Sequence, residues 1–326
     1  MTILVTGAAG FIGSYVCRAL AARGESVVGL DNFNDYYDPQ IKRDRVAAIC
    51  PDVRIAEVNL ADAAAIRKLF ADVKPERVIH LAAQAGVRYS ISNPNVYADS
   101  NLTGFTNILE ACRHGGVRHL VYASSSSVYG GNAVPPFSEQ QRIDQPLSFY
   151  AATKAANELM AHTYAHLYRL PTTGLRFFTV YGAWGRPDMA PVLFSRAVLA
   201  GRAIEVFNHG RMRRDFTHID DIVAGVLGAL DSPSTDATPH QAAPSQIFNL
   251  GNHTPVELER FIAVIEQAAG KPAQKIYKEL QPGDMVETMA DTARAQAAFG
   301  FDPSATIEQK LPEVVAWCRD YFGDRA

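Results

Sequence analysis

The stretch Thr2-Ile3-Leu4-Val5-Thr6-Gly7-Ala8-Ala9-Gly10-Phe11-Ile12-Gly13 decides the fold. Residues 2–6 form a short, continuous apolar run, the pattern of a strand buried on both faces of a parallel sheet. Ile12, Val16, Ala19 and Leu20 then recur on one side of a helix that begins inside the glycine run and ends near Gly24. Between the two, Gly7 permits the tight turn, Gly10 lets backbone approach a pyrophosphate, and Gly13 allows close packing of helix on strand. Phosphates would sit on open N–H groups at the positive end of the helix. A glycine triplet alone also occurs in ordinary turns. Here a second strand, Val27-Val28-Gly29-Leu30, ends in Asp31, 18 residues beyond Gly13. A carboxylate at that place binds both hydroxyls of an adenosine ribose and repels a 2′-phosphate. The stretch predicts bound NAD.

Working outward, 326 residues suffice for a large core and predict two lobes sharing one sheet system. With 31 basic and 34 acidic side chains the charge is nearly balanced, which gives no footprint for nucleic acid or a membrane surface. No apolar run reaches the length of a membrane span, and the N-terminus lacks a signal-peptide pattern. Cys17, Cys50, Cys112 and Cys318 are scattered without a C-x-x-C pair. Three of them fall in helical patterns and read as small buried hydrophobes in a reducing compartment. A cytoplasmic protein is expected.

Along the chain, Asn32-Phe33-Asn34-Asp35-Tyr36-Tyr37-Asp38-Pro39 reads either as a solvated turn or as a lid over the adenosine. A strand at 53–58 leads to Asn59 and Leu60, with Asp62 as a helix N-cap. The strand at 77–80 runs into Leu81-Ala82-Ala83, small residues suited to a loop packed on a cofactor. Arg88 follows, at the mouth of an anion site or in a surface salt bridge. Two long helices are expected, near 94–114 and 148–168. Beyond residue 170, residues 176–182 read as a strand leaving the sheet, and 184–188 as a loop. Helix-like 192–199, a strand at 204–207 and a helix at 219–230 come next. Residues 232–246 read as a surface loop, and Thr254-Pro255-Val256-Glu257 as a capping box opening a helix to about 268. Ile307, Leu311, Val314, Val315, Cys318 and Phe322 make the stripe of a closing helix. The expected architecture is α/β: a Rossmann-type doubly wound parallel sheet over 1–176, with contributions from later segments, and a smaller C-terminal α/β lobe over 177–326 that is mainly substrate-binding.

The cofactor-facing set in this layout is Gly7, Gly10, Phe11, Ile12, Gly13, Asp31, Asn32, Asn59, Leu60, Leu81, Ala82, Ala83, Asn101 and Ser124, together with Tyr150 and Lys154. Between the long helices a strand ends in Ser124-Ser125-Ser126-Ser127, at the sheet edge where ligands bind. Tyr150 and Lys154, four apart, share one helix face. A serine, a tyrosine and a lysine beside a nicotinamide make an alcohol–ketone oxidation centre. Free tyrosine, with a pKa of about 10, is too weakly acidic to act as a base at neutral pH. An ammonium one turn away, together with the cofactor's positive ring, favours the phenolate. Tyr150 then takes a hydroxyl proton while Ser125 hydrogen-bonds the same oxygen. His162 and His166, four apart, have zinc-like spacing, but residue 163 is Thr and no third ligand is suggested, so no metal is expected.

The glycine run with its three-residue spacing, the serine turn and Tyr150-x-x-x-Lys154 together resemble the nucleotide-sugar epimerases and dehydratases of the extended short-chain dehydrogenase family, over essentially the whole chain. Residues 31–37, 85–90, 175–182 and 185–189 resemble one subgroup, the UDP-glucuronate 4-epimerases. Position 59 is Asn where relatives usually carry Asp. The resemblance implies tightly held NAD, transient oxidation at C4 of UDP-glucuronate, and return to UDP-galacturonate without decarboxylation. It also implies Arg186 and Arg214 near the diphosphate, Asp284 near the uridine ribose, and a homodimer through the two long helices. Oxidation at C4 would make the C6 carboxylate a β-keto acid, prone to lose carbon dioxide. Related decarboxylases carry an acid just before the Val-Tyr-Gly of the serine turn, where this chain has Ser127; neutral-sugar 4-epimerases have Asn in place of Thr179. Hydroxyls of Ser126, Ser127 and Thr179 are therefore expected to hold the carboxylate out of line with the carbonyl. A neutral-sugar epimerase, a UDP-glucuronate decarboxylase and an inactive NAD-sensing protein remain the alternatives.

Overall fold

The computed structural model describes residues 1–131, 134–234, 243–281 and 283–323. Among the described residues seven strands make one all-parallel sheet: β1 (Thr2–Thr6), β2 (Ser26–Asp31), β3 (Arg54–Glu57), β4 (Arg77–His80), β5 (His119–Ser125), β6 (Thr172–Phe177) and, after three strands that lie elsewhere and are given below, Ser245–Leu250. From one edge the order is Arg54–Glu57, Ser26–Asp31, Thr2–Thr6, Arg77–His80, His119–Ser125, Thr172–Phe177, Ser245–Leu250. Strand alternation divides the core. Ile3, Val5, Ile79, Val121 and Leu175 pack against the helices Phe11–Ala22 and Ile219–Asp231. Leu4, Val78, Leu120 and Tyr122 face the helices Ala63–Val73, Gly104–Gly115 and Phe149–Tyr168 on the other side. The sheet is doubly wound, as its apolar runs predict.

The rest of the C-terminal half builds a second core. β7 (Thr179–Tyr181), β9 (Arg213–His218) and β11 (Pro255–Glu257) form a three-stranded sheet; β8 (Ala203–Val206) pairs with β12 (Gln274–Tyr277), and β10 is the Ser245–Leu250 strand of the main sheet. The helices Ala190–Leu199, Leu258–Ala269 and Ile307–Phe322 close around them, with Phe216 stacked on Phe261 at 4.2 Å. Ile41, on the helix Pro39–Ile49, joins this core from the first half of the chain. Among the described residues no helix is long and apolar enough to cross a membrane.

Several expectations need correction. Residues 176–182 are not one strand leaving the sheet: Arg176 and Phe177 belong to β6 inside it, and only Thr179–Tyr181 passes into the small sheet. Residues 254–257 do not cap a helix. Pro255–Glu257 pairs antiparallel with Arg213–Asp215, and the helix starts at Leu258 without a side-chain cap. Proline at the first residue of an edge strand gives up no ladder donor, which makes this placement cheap. The expected helix at 94–114 contains a π-helical segment, Ala98–Thr103, between Pro94–Tyr97 and Gly104–Gly115. Of the expected loop 232–246, residues 235–242 lie outside the described residues, while Ser245 and Gln246 already belong to β10.

Candidate active site

The sheet changes direction between β1 and β4: the chain goes outward from β1 to β3, then returns to the other side of β1. At such a switch point the loops leaving adjacent carboxyl ends diverge and open a crevice. Here a cavity of about 1280 Å³ lies over that edge and extends to the second core. That exceeds the usual range of a single small-molecule site, about 300–1,000 Å³, and suits two ligands side by side.

The cofactor half is built from backbone. The first helical bond runs from Ser14 N to Gly10 O at 3.1 Å, which leaves the amides of Phe11, Ile12 and Gly13 outside the helical ladder at the cavity wall. Close packing makes glycine obligatory there: a Cβ on Gly13 would lie 2.0 Å from Gly7 O. Gly7 itself has φ +70° and packs on the loop after β4, where a Cβ would meet Ala82 N at 2.8 Å. Asp31 is 6 % exposed and its carboxylate is fixed by Ala9 N at 3.1 Å and Phe33 N at 2.9 Å. Glycine cradle, open amides and a held carboxylate together fit the pyrophosphate and adenosine ribose of NAD. Asn32, Asn59, Leu60, Leu81, Ala82, Ala83 and Ser124 also line the cavity. Asn59 Oδ1 accepts from Ala61 N, so part of its side chain is committed to the local turn.

Asn101 stands one layer back and does not line the cavity. Its amide brackets Gln84, accepting from Gln84 N at 2.8 Å and donating to Gln84 O at 3.0 Å, while Asn157 donates to Asn101 O. The π-helical segment places Asn101 in this position, and it thereby shapes the loop after β4.

The reactive groups meet where β5 ends. Ser125 Oγ donates to Ser127 Oγ and accepts from Ser127 N, each at 3.2 Å. Ser148 caps the helix Phe149–Tyr168 through Ala151 N, which sets Tyr150 and Lys154 on its first two turns. Lys154 Nζ, 2 % exposed, donates to Ala123 O at 2.9 Å. Burial lowers its pKa to about 8 against the opposing pull of Glu158. Tyr150 moves the other way: burial raises it, and a hydrogen bond to Ser125 and the Arg186 charge only partly offset this. Without a ligand, therefore, Tyr150 is a phenol. The expected phenolate requires additional positive charge beside it.

The expected substrate residues Arg88, Ser126, Ser127, Thr179, Arg186, Arg214 and Asp284 all line the far half of the same cavity. Their charges are mutually engaged. Arg88 pairs with Asp284 at 3.3 Å and lies over the Phe207 ring at 4.7 Å. Arg186 forks onto Asp188, which also accepts from Tyr36 Oη at 3.0 Å. Arg214 donates to the carbonyls of Arg213 and Val286; burial lowers its pKa and the Asp284 charge opposes the effect. Tyr36 ties the 32–39 loop to the cavity rim, and Lys42 donates to Asn34 within the same loop. Sequence reasoning passed over Tyr36 and Asp188 as site residues, although both lie in the quoted stretches. His162 and His166 are exposed on the outer part of their helix, remote from this cavity's lining.

Comparison with known proteins agrees with this geometry. Residues 3–251 match the model of the NAD dependent epimerase/dehydratase family. UDP-glucuronate 4-epimerase 3 of Arabidopsis thaliana is 49% identical over 331 residues, covering 98% of this chain and 77% of that protein. Protein CapI of Staphylococcus aureus is 49% identical, covering 99% of each. Among solved structures, UDP-glucuronic acid 4-epimerase from Bacillus cereus, in complex with UDP-glucuronic acid and NAD, superposes with a TM-score of 0.90 at 31% identity, covering 98% of this chain and 100% of that one.

The buried lysine gives a stability prediction. Its pKa of about 8 in the fold lies below the ordinary 10.5, so at pH 7 the fold carries the cost of a buried ammonium. The cost is complete below the folded pKa and disappears as pH rises through the unfolded one. Lys154→Met should be the more stable protein at pH 7, by about 3 kcal/mol at most on the scale of 1.36 kcal/mol per unit. Denaturant melts of the ligand-free proteins should show the gap closing between about pH 8 and 10.5. A gap independent of pH would assign the effect to packing alone.

Proposed function

The chain belongs to the NAD dependent epimerase/dehydratase family, and from that premise we propose that it interconverts UDP-glucuronate and UDP-galacturonate by redox-neutral inversion at C4. The observation that carries this reading is one cavity holding Ser125, Tyr150 and Lys154 together with the neutral hydroxyls of Ser126, Ser127 and Thr179. Relatives named UDP-glucuronate 4-epimerase at nearly half identity support the acid sugar as substrate. Bound NAD supplies reversible oxidation at the sugar's C4. Tyr150 Oη takes the proton of the 4-hydroxyl and later returns it, and Ser125 hydrogen-bonds the same oxygen. Lys154 holds positive charge against Tyr150 and the nicotinamide ribose. Asp31 accepts from the adenosine ribose and disfavours a 2′-phosphate. Arg186 and Arg214 take the diphosphate, Asp284 the uridine ribose, and Arg88 stands at the anionic mouth. In this division residues 1–176, joined by the helix Ile219–Asp231 and the strand Ser245–Leu250, hold the cofactor; the remainder of 177–326 mainly holds the UDP-sugar. The four cysteines, all free and buried, support a cytoplasmic setting.

Purified protein given UDP-glucuronate without added NAD should yield UDP-galacturonate and accumulate no NADH, as separation of the epimers will show. Tyr150→Phe should lower kcat at least ~100-fold, the usual scale of general-base catalysis. Stoichiometric NADH would make the protein a dehydrogenase, and a product lacking carbon dioxide would make it a decarboxylase.

The hydroxyl clamp has its own consequence. A hydrogen bond to a charged group contributes roughly 1.5–3 kcal/mol, or about ten- to a hundredfold. Thr179→Val should slow glucuronate turnover by that factor and release a small amount of UDP-4-keto-pentose, detected by mass. Unchanged kinetics with no such product would move acid recognition to another residue, with Arg88 the next to test.

A homodimer is the expected assembly. Leu159 and Leu167, two turns apart on the helix Phe149–Tyr168, are 68 % and 59 % exposed. Pairing this surface and that of the helix Gly104–Gly115 with a second copy would make a four-helix, self-complementary contact. Sedimentation should give twice the chain mass at micromolar concentration; a monomer there would remove the dimer from this account.

A further inference from the structure

Tyr150, Lys154 and Glu158 stand at four-residue intervals on one helix, and the cavity accounts only for the first two. Glu158 faces inward behind them. Its Oε1 accepts from Ser124 Oγ at 2.5 Å and from Arg176 Nε at 2.9 Å, and its Oε2 accepts from Arg176 Nη2 at 2.7 Å. Both partners of the ion pair are buried, with side chains 4 % and 7 % exposed. Arg176 also lies over the Tyr129 ring at 4.8 Å.

We propose that Glu158 is a positioning residue for the catalytic lysine: its carboxylate keeps Lys154 an ammonium and fixes the register of the catalytic helix against β5. The inference rests on the assignment of Lys154 to catalysis. Geometry supplies the register. Lys154 Nζ holds the carbonyl of Ala123, Glu158 holds the hydroxyl of Ser124, and Ser125 is the next residue. Two successive turns of the helix therefore grip two successive residues of the strand that carries the catalytic serine. Arg176, from β6, completes the clamp as a fork onto the same carboxylate.

A need for stability alone does not explain such a pair. Desolvating two charges offsets most of their attraction, and apolar replacements are often neutral or better. The carboxylate of the pair stands one helical turn beyond Lys154 on the same helix face. Among the described residues, the titratable and charged groups near that lysine are His80 from β4, Tyr150 and Glu158 one turn to either side on its own helix and, bonded to Glu158, Arg176 from β6. Burial and the Lys154 charge hold His80 down at about 3, so it stays neutral, and Tyr150 is a phenol in the ligand-free site. Glu158 is thus the negative charge that opposes burial at Lys154.

The test uses Glu158→Gln, which keeps shape and acceptor while removing the charge, and the double variant Glu158→Gln/Arg176→Met, which removes the arginine that the first change would leave without its carboxylate. In both, the alkaline limb of kcat should move to lower pH by about one unit, because Lys154 loses its proton sooner. Arg176→Met alone should not lower the limb, since the carboxylate remains. Melting curves of the ligand-free proteins against pH give the same reading without turnover. In the double variant, the rise of stability with pH produced by Lys154 should begin about one unit lower, and Lys154→Met in that background should abolish it. A uniform fall of kcat with an unmoved limb, and an unmoved stability profile, would reduce Glu158 to a structural tie and overturn the proposal. A shifted stability profile in a protein that turns over no UDP-sugar would leave the Glu158–Lys154 coupling standing and refute the epimerase reading instead.

Discussion

Everything at this site depends on how closely the first helix approaches the first strand. A side chain of even one carbon on Gly13 would collide with the Gly7 carbonyl, so two glycines six residues apart set the distance between helix and sheet. That distance aims the open amides of residues 11–13 at the crevice between β1 and β4. It also lets the loop after β4 lie against the turn after β1, with Ala82 N donating to Thr6 Oγ1. The cofactor cradle is therefore a packing consequence of the parallel sheet. Each loop that lines it leaves the same edge, and the helix dipole and amide donors add their attraction for phosphate at no further conformational cost.

Burial drives the two central titratable groups in opposite directions. Both shifts arise because a low-dielectric wall disfavours charge of either sign: Tyr150 holds its proton more tightly and Lys154 less. At pH 7 the two shifts therefore leave a neutral phenol beside an ammonium. A positive ring beside Tyr150 changes that balance at the place where a base is needed. The same burial that suppresses the base in the empty cavity strengthens each charge interaction once water has been displaced. The Ser125 hydroxyl, already held by Ser127, needs little rearrangement to meet a substrate oxygen.

How much of this was legible depends on whether the determinants are local. β1, β2 and β4 announce themselves by uninterrupted apolar residues, and the glycine run gives the turn its meaning. β6 does not: Thr172-Thr173-Gly174-Leu175-Arg176-Phe177 looks half polar, yet all six residues are buried. Its polar groups have distant partners, Thr173 with His119 and Arg176 with Glu158, that no window of sequence can display. β10 hides for the same reason, since Asn249 is buried through bonds to Tyr129 and Phe137. At Pro255 the local signal favoured a helix cap, but pairing with β9 delayed the helix by three residues, to where Leu258, Phe261, Ile262 and Ile265 meet the core. Asn101 was legible as a site residue but not as one acting from behind the loop. Its placement depends on the π-helical segment, which has no simple periodicity to read.

The sugar half of the cavity shows a different economy. Two of its cations are already in ion pairs, Arg88 with Asp284 and Arg186 with Asp188, while Arg214 rests on backbone carbonyls. A dianionic diphosphate entering this space exchanges partners rather than meeting bare charge. The gain at Arg88 and Arg186 is accordingly smaller than for an unpaired arginine, because a carboxylate must be released there. The released carboxylates have work of their own, however. Under the proposed reading Asp284, freed from Arg88, would become an acceptor for hydroxyls, which a carboxylate engaged in an ion pair serves poorly. Asp188 also accepts from Tyr36 of the 32–39 loop, a bond that does not depend on Arg186. Anion binding and hydroxyl recognition then occur in one exchange, and a ligand offering only one of the two leaves a charge unpaired. That requirement selects for a nucleoside diphosphate joined to a sugar over either part alone.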